Sequence, residues 1–297
     1  MAAAGNTPIV LGKGDAVARL EGKGVLITDG NKMSDKTTTI YRMKSKDNKQ
    51  LLMQFGTGLG ELAPCSIVSF VDSEDASQRR KICFVNMDEN KKAWEELNEC
   101  AEVIGKQLFE GRQVYWGGRC KDDMTFEEFM EKRSPIVKTN KVTGSNEAVV
   151  KCPEKLSRFW HMSGLEQKED GQWKFTRRPI SRFNSASRAF TGLLSCNVGL
   201  YTGWNKGPTW GVYLNVRDAL LVPVDMSGKK AASSMMSMDF GGAAEQVDEL
   251  ETKMVVDMDG GHEEGSSDLE EEEGEGGKRG LSPGFVEPPT LKRTKRA

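Results

Sequence analysis

Beyond Val224 this 297-residue chain loses the apolar periodicity that builds cores, and that loss limits every fold open to it. Residues 227–244 are rich in Gly, Ser and Met, and residues 239–277 set fifteen Asp and Glu against one lysine, Lys253. A stretch of that composition cannot bury enough apolar surface to offset the entropy lost on ordering. The core must therefore come from residues before 225. Residues 1–35 are expected as a loose N-terminal segment, 36–226 as the folded domain, 227–277 as a disordered linker and acidic tract, and 278–297 as a basic tail.

The total charge of -2 conceals this division. The acidic tract carries -14 and residues 278–297 carry +5, which leaves +7 on residues 1–238. A basic body tethered to a polyanion points to a phosphate-bearing partner. No apolar run reaches the ~18 residues of a membrane span, so no membrane partner is expected. The first residues lack the basic-then-apolar order of a secretory signal. Six cysteines (65, 83, 100, 120, 152 and 196) are scattered without a CxxC pair. They suit reduced, mostly buried thiols of an intracellular protein rather than a disulfide framework or a zinc site.

Four β-branched or aromatic runs, at residues 37–43, 51–55, 65–71 and 81–85, predict strands at short spacing. The polar link 44–50 suits a hairpin between the first two. Trp94, Leu97, Ala101, Ile104 and Leu108 recur three and four apart, which predicts a helix over 88–109 with Asp88 as N-cap and Gly111 as its stop. Thr125 with Glu128 predicts a second, short helix over 125–132 through a capping box. Residues 138–150 read as an exposed loop. Residues 210–224 read as two final strands interrupted at Arg217-Asp218. Gly56-Thr57-Gly58-Leu59-Gly60 lacks the following helix of a dinucleotide fingerprint and reads as a turn between strands. The loop 203–208 is a turn presenting Trp204.

Residues 151–216 hold ten cations against four acids, and ten of the chain's 22 aromatic residues. Within 158–190 cations and rings interleave. Cations neutralise phosphates and flat rings stack on unpaired bases, so the mixture suits single-stranded nucleic acid. The candidates for stacking are Phe159, Trp160, Trp173, Phe175 and Phe183, and those for phosphate contact are Arg158, Lys174, Arg177, Arg178, Arg182 and Arg188. Tyr41, Arg42 and Lys44 on an early strand are further candidates. The competing reading makes the same rings ordinary core and the cations their solvated flanks.

Little else carries chemistry. No GxxxxGK[ST], HExxH or GxSxG occurs, and the two histidines are His161 and His262. A Cys152/His161 pair has no neighbour suited to orient it, so no enzymatic activity, cofactor or metal is expected. Lys278-Arg279 and, after twelve residues, Lys292-Arg293-Thr294-Lys295-Arg296 have the spacing of a bipartite nuclear localisation signal. Lys278, Arg279, Lys292, Arg293, Lys295 and Arg296 would occupy two acidic grooves of an import receptor. The acidic tract, held near the basic body, can compete with nucleic acid for its groove and dock replication proteins.

The layout of a compact basic domain of short strands with an inserted helix, a closing strand pair and an acidic tail resembles the OB-fold single-stranded-DNA-binding proteins of phages and large DNA viruses. The residues carrying the resemblance are 210–216 (WGVYLNV) through Leu220-Leu221-Val222, and Glu270 to Glu275. It implies a β-rich α+β fold, an OB-like antiparallel barrel with an inserted helix, and a role in DNA replication or recombination. The basic segment after the acidic one departs from the phage pattern and suits a viral protein acting in a host nucleus. An acidic tract followed by a bipartite signal also resembles nucleoplasmin-like chaperones of histones and other basic proteins. DNA against RNA preference and homo-oligomerisation are left open by the sequence.

Overall fold

The computed structural model describes residues 7–28, 30–33, 37–71, 79–153, 156–180, 182–183, 187–224, 238–239 and 246–251. Both basic clusters, Glu263 to Glu275 and most of the 227–244 linker lie outside them.

The chain runs β1 (Ile9–Val10), α1 (Ala16–Lys23), β2 (Leu26–Ile27), β3 (Asn31–Lys32), β4 (Thr39–Lys44), β5 (Leu52–Phe55), β6 (Ala63–Val71) and β7 (Arg79–Asn86). Three helices follow: α2 (Lys91–Glu110), α3 (Arg112–Tyr115) and α4 (Phe126–Glu131). The remaining strands are β8 (Val137–Thr139), β9 (Asn146–Lys151), β10 (Phe159–Gln167), β11 (Gln172–Pro179), β12 (Arg182–Phe183), β13 (Ser187–Trp204), β14 (Pro208–Pro223), β15 (Met238–Asp239) and β16 (Gln246–Glu251).

Five strands close on themselves in the order β6-β7-β9-β14-β13 and back to β6. Every neighbouring pair is antiparallel except β9 with β14, which is parallel. The β-rich barrel expected from the short strands is therefore present. Its spine is β13, 18 residues long. One edge of β13 pairs with β14 along nearly its whole length, and the other serves β6, β5 and β4 in turn. Inward residues Cys65, Ile67, Cys83, Val85, Ala148, Val150, Val198, Leu200, Val212 and Leu214 fill the interior. The helices pack on the same core through Ala93, Leu97, Cys100, Ala101, Ile104 and Leu108 of α2 and Phe129 of α4. Trp210, fully buried, stacks on Phe129 with ring centroids 5.4 Å apart and donates its indole N–H to the Phe129 carbonyl. Gly105 leaves the space that Trp210 needs.

Several expectations change. Residues 138–150 are not a loop: they contain β8 and β9, and β9 is a wall of the barrel. The link 44–50 closes a hairpin turn, with an antiparallel Lys44–Gln50 bridge and the amides of Ser45 and Leu51 donating to the carbonyls of Lys49 and Met43, but β4 and β5 do not pair beyond it. Both lie against β13, end to end, because that strand offers a longer edge than either can use alone. Residues 210–223 belong to one strand rather than two, with a bulge at Arg217 between the Ser195–Asp218 and Cys196–Val216 pairs. The first 35 residues are not wholly loose. β1 pairs in parallel with β5, and α1 is tied to α2 through Glu96, whose carboxylate accepts from the backbone amides of Gly12 and Ala16. Asp88 is not the helix cap. It accepts two bonds of 2.8 Å from Asn146, and this holds the start of β9. Those bonds keep the Asp88 carboxyl below the ordinary carboxylate range. The Thr125–Glu128 capping box forms as expected, and Gly111 closes α2.

Two pieces of the tract expected to be disordered are strands. β15 pairs with β12, and β16 adds to the edge of β11. An edge strand offers a row of unpaired backbone groups, which a six-residue segment with Val247 and Leu250 can satisfy.

Candidate nucleic-acid interface

β10 and β11 carry seven of the fourteen residues singled out from sequence for nucleic-acid contact. Their register pairs Trp160 with Pro179, Met162 with Arg177 and, past a bulge at 163–166, Gln167 with Trp173. Strand alternation then puts Trp160, Met162, Trp173, Phe175 and Arg177 on one face. That face is turned inward. Met162 and Phe175 form a second small core with Leu59, Leu193 and Leu220, and Trp160, Leu165 and Trp173 pack around it. The Trp173 ring lies on Gly60, where a Cβ would come within 3.2 Å. The glycine-rich segment 56–60 is thus the floor of this cluster, and Gly56, at φ 84°, turns the chain into it.

These placements correct part of the predicted site. Phe159 and Phe175 are 0% and 2% exposed, so no base can lie on either ring, and both are core residues. Tyr41 is also buried, with its ring edge-on to Tyr115 at 5.5 Å. Arg158 is ion-paired with buried Asp218, which also meets Arg217 Nε at 3.3 Å. The Arg158 charge is thereby engaged by Asp218, while its side chain stays 40% exposed. Trp160 and Trp173 remain half-buried, each showing part of its surface.

The other cations of this hairpin divide between its two faces, Lys174 and Arg178 opposite Arg177. Lys174 is exposed, Arg178 is half-buried, and the Arg177 guanidinium sits 4.5 Å over the Trp160 ring. Arg182, Phe183 and Arg188 fall in β12 and at the start of β13, with side chains outside the described set. β16 runs along β11 in a register that pairs Lys174 with Glu249, Phe175 with Asp248 and Gln172 with Glu251. The first acids of the tail are therefore laid beside the strand that carries Lys174, Arg177 and Arg178.

A second group lies toward the other end of the β13–β14 ribbon. Arg42 is exposed, and Lys44 donates to Asn48 at 2.9 Å. Across β13 from Arg42 lie Tyr213 of β14 and, two residues on, Tyr201, neither of which the sequence reading selected. The hairpin tip beyond them presents Trp204, 37% exposed, and Lys206, whose φ of 54° shapes the turn.

Two thiols are held far from the activated range. All six cysteines are free, and burial pushes Cys100 and Cys152 each up to about 12. An activated thiol moves the other way. Comparison of the chain with protein-family models, curated proteins and solved structures returns no match.

Proposed function

We propose that this chain is a non-catalytic, sequence-tolerant single-stranded-DNA-binding protein of DNA replication or recombination, whose acidic tail competes for the DNA-binding surface and docks partner proteins. The observation that carries the reading is β16: the start of the acidic tract is paired, residue by residue, with the cationic strand β11. A polyanion held there by a short tether must leave, or be outcompeted, before phosphates reach Lys174, Arg177 and Arg178.

The barrel supports the same reading. Numbered within the ring, its strands run 1-2-3-5-4, with the third and fifth parallel. That is the order of the OB fold, a Greek-key barrel that recurs in oligonucleotide binding. Helices α2 to α4 fall between the second and third ring strands rather than after the third, and β10 to β12 are an insertion before the fourth. The two basic clusters at 278–279 and 292–296 fit import into a nucleus, where a viral replication protein would work.

Titration of labelled oligo-dT at several salt concentrations, with the full chain and with a chain ending at Gly228, tests this. Binding should weaken with salt, and removal of the tail should tighten it about tenfold or more at low salt. Absence of binding by the shortened chain at low salt, with its barrel intact by circular dichroism, refutes the reading.

A further inference from the structure

The geometry points to Tyr201 and Tyr213, on the outer face of β13 and β14, as a platform on which two unpaired bases stack, with Arg42 and Lys151 taking the adjoining phosphates. This inference rests on the nucleic-acid reading above and locates a contact surface away from β10 and β11.

Residues of β13 and β14 alternate between barrel interior and outer face. Val198, Leu200, Thr202, Val212, Leu214 and Val216 are buried inside, so Gly199, Tyr201, Gly211 and Tyr213 belong to the outside. The register sets Gly199 beside Tyr213 and Tyr201 beside Gly211. Each ring lies across the glycine of the neighbouring strand. A Cβ on Gly199 would overlap Tyr213, and one on Gly211 would come within 2.6–2.8 Å of three atoms of Tyr201. Neither tyrosine belongs to the hydrophobic clusters, and both are half-buried. One face of each ring is therefore covered by backbone and the other is turned outward.

Diagonal neighbours of this kind stand ~7–8 Å apart, about twice the ~3.4 Å rise of a stacked strand. The pair suits bases drawn out of their stack rather than a duplex. Charge completes the match. Arg42 is exposed and lies directly across Gly199 from Tyr213. The Lys151 ammonium is 5.7 Å from the Tyr213 centroid, near the outer limit of a cation–π contact. Its flexible stem lets it move to a phosphate while a base takes the ring. Rings laid over strand glycines also shield bare backbone, but shielding needs neither the ring's π-face nor the cations, and the two roles separate by experiment.

The test uses the full chain and labelled oligo-dT. Y201L/Y213L keeps an apolar cover over each glycine and removes the stacking surface. It should weaken binding roughly thirtyfold or more at fixed salt, with the slope of affinity against salt unchanged. Y201F/Y213F should bind within about twofold of the parent, because its rings still stack. R42A/K151A should lower the salt slope by about one to two. Leucine variants that bind as tightly as the parent overturn the inference. Should those variants melt earlier than the parent, photo-crosslinking of iododeoxyuridine oligonucleotides to the unaltered chain decides: adducts confined to other residues overturn it, and adducts on Tyr201 or Tyr213 support it. Failure of the chain ending at Gly228 to bind oligo-dT at low salt removes the single-stranded-DNA reading itself, and the platform with it.

Discussion

A carboxylate enclosed in the face of a helix needs donors, and Glu96 finds them in the amino-terminal segment. Its two oxygens accept from Gly12 and Ala16, and Ala16 is the first residue of α1. One side chain thus caps a helix eighty residues earlier and fixes the path of residues 11–16. Hydrogen bonds to charged acceptors contribute ~1.5–3 kcal/mol each, net of solvent. Glu96→Gln keeps the shape, loses the charge, and turns a donor toward one of the amides. It should lower stability by about 2 kcal/mol, read as a shift in the urea midpoint, with faster proteolysis between residues 12 and 24. An unchanged midpoint would show that α1 is held by Leu20 and Ala16 packing alone. Residue-level legibility was uneven for a related reason. That Trp160, Trp173, Phe175 and Arg177 share a face follows from strand alternation once the strands are drawn. Which way the face points does not, because direction depends on Leu59, Leu193 and Leu220 arriving from elsewhere. The repeated Gly-x-Tyr of 199–201 and 211–213 was a readable sign of rings laid over glycines.

Elements with strong local signals formed where the sequence placed them. The helix read over 88–109 is α2, and the hairpin of β6 and β7 follows the two apolar runs. β9 was missed because its inward residues are only Ala148 and Val150, set among Asn146, Glu147 and Lys151. Its strand character comes from β7 and β14 on either side, a tertiary effect that no window of residues contains. α4 is the opposite case, a six-residue helix whose start is dictated by Thr125 and Glu128. So short a helix has little stability of its own, yet it delivers Phe129 to the Trp210 ring. Thr125→Ala removes the acceptor for the Glu128 amide and should cost about 1 kcal/mol, a drop of roughly 2–4 °C in melting temperature for a domain this size. Thr125→Ser should restore most of it. Equal melting of all three proteins would mean that packing on Trp210, not the cap, decides whether α4 forms.

A closed barrel is as secure as its shortest seam. β13 and β14 share fifteen register pairs, whereas β9 meets β14 through two, Leu214 with Val150 and Asn215 with Lys151, and in the slightly weaker parallel arrangement. Local opening follows such differences, so the ring should part between β9 and β14 before any other place. Cys152, the residue after β9, reports it. In the closed barrel burial pushes its thiol up to about 12, with Cys65 adding to the effect. In the opened state the thiol returns to the ordinary value of ~8.5. At pH 8.5 alkylation therefore measures opening, since the closed thiol is almost wholly protonated. Cys152 should react at urea concentrations too low to unfold the chain, while Cys196, at the centre of β13 and fully buried, should react only with global unfolding. Equal labelling of the two across the urea range would mean that the ring opens as one unit. The same thiol ties the barrel's mechanics to the platform. An oligonucleotide lying across Lys151 of β9 and Tyr213 of β14 bridges the seam from outside and binds only while it is closed. Saturating oligo-dT should then slow Cys152 alkylation in proportion to the fraction bound, and leave the Cys196 rate at the unfolding limit. Protection in the parent that persists in Y201L/Y213L at full occupancy would place the bound strand elsewhere on the basic body.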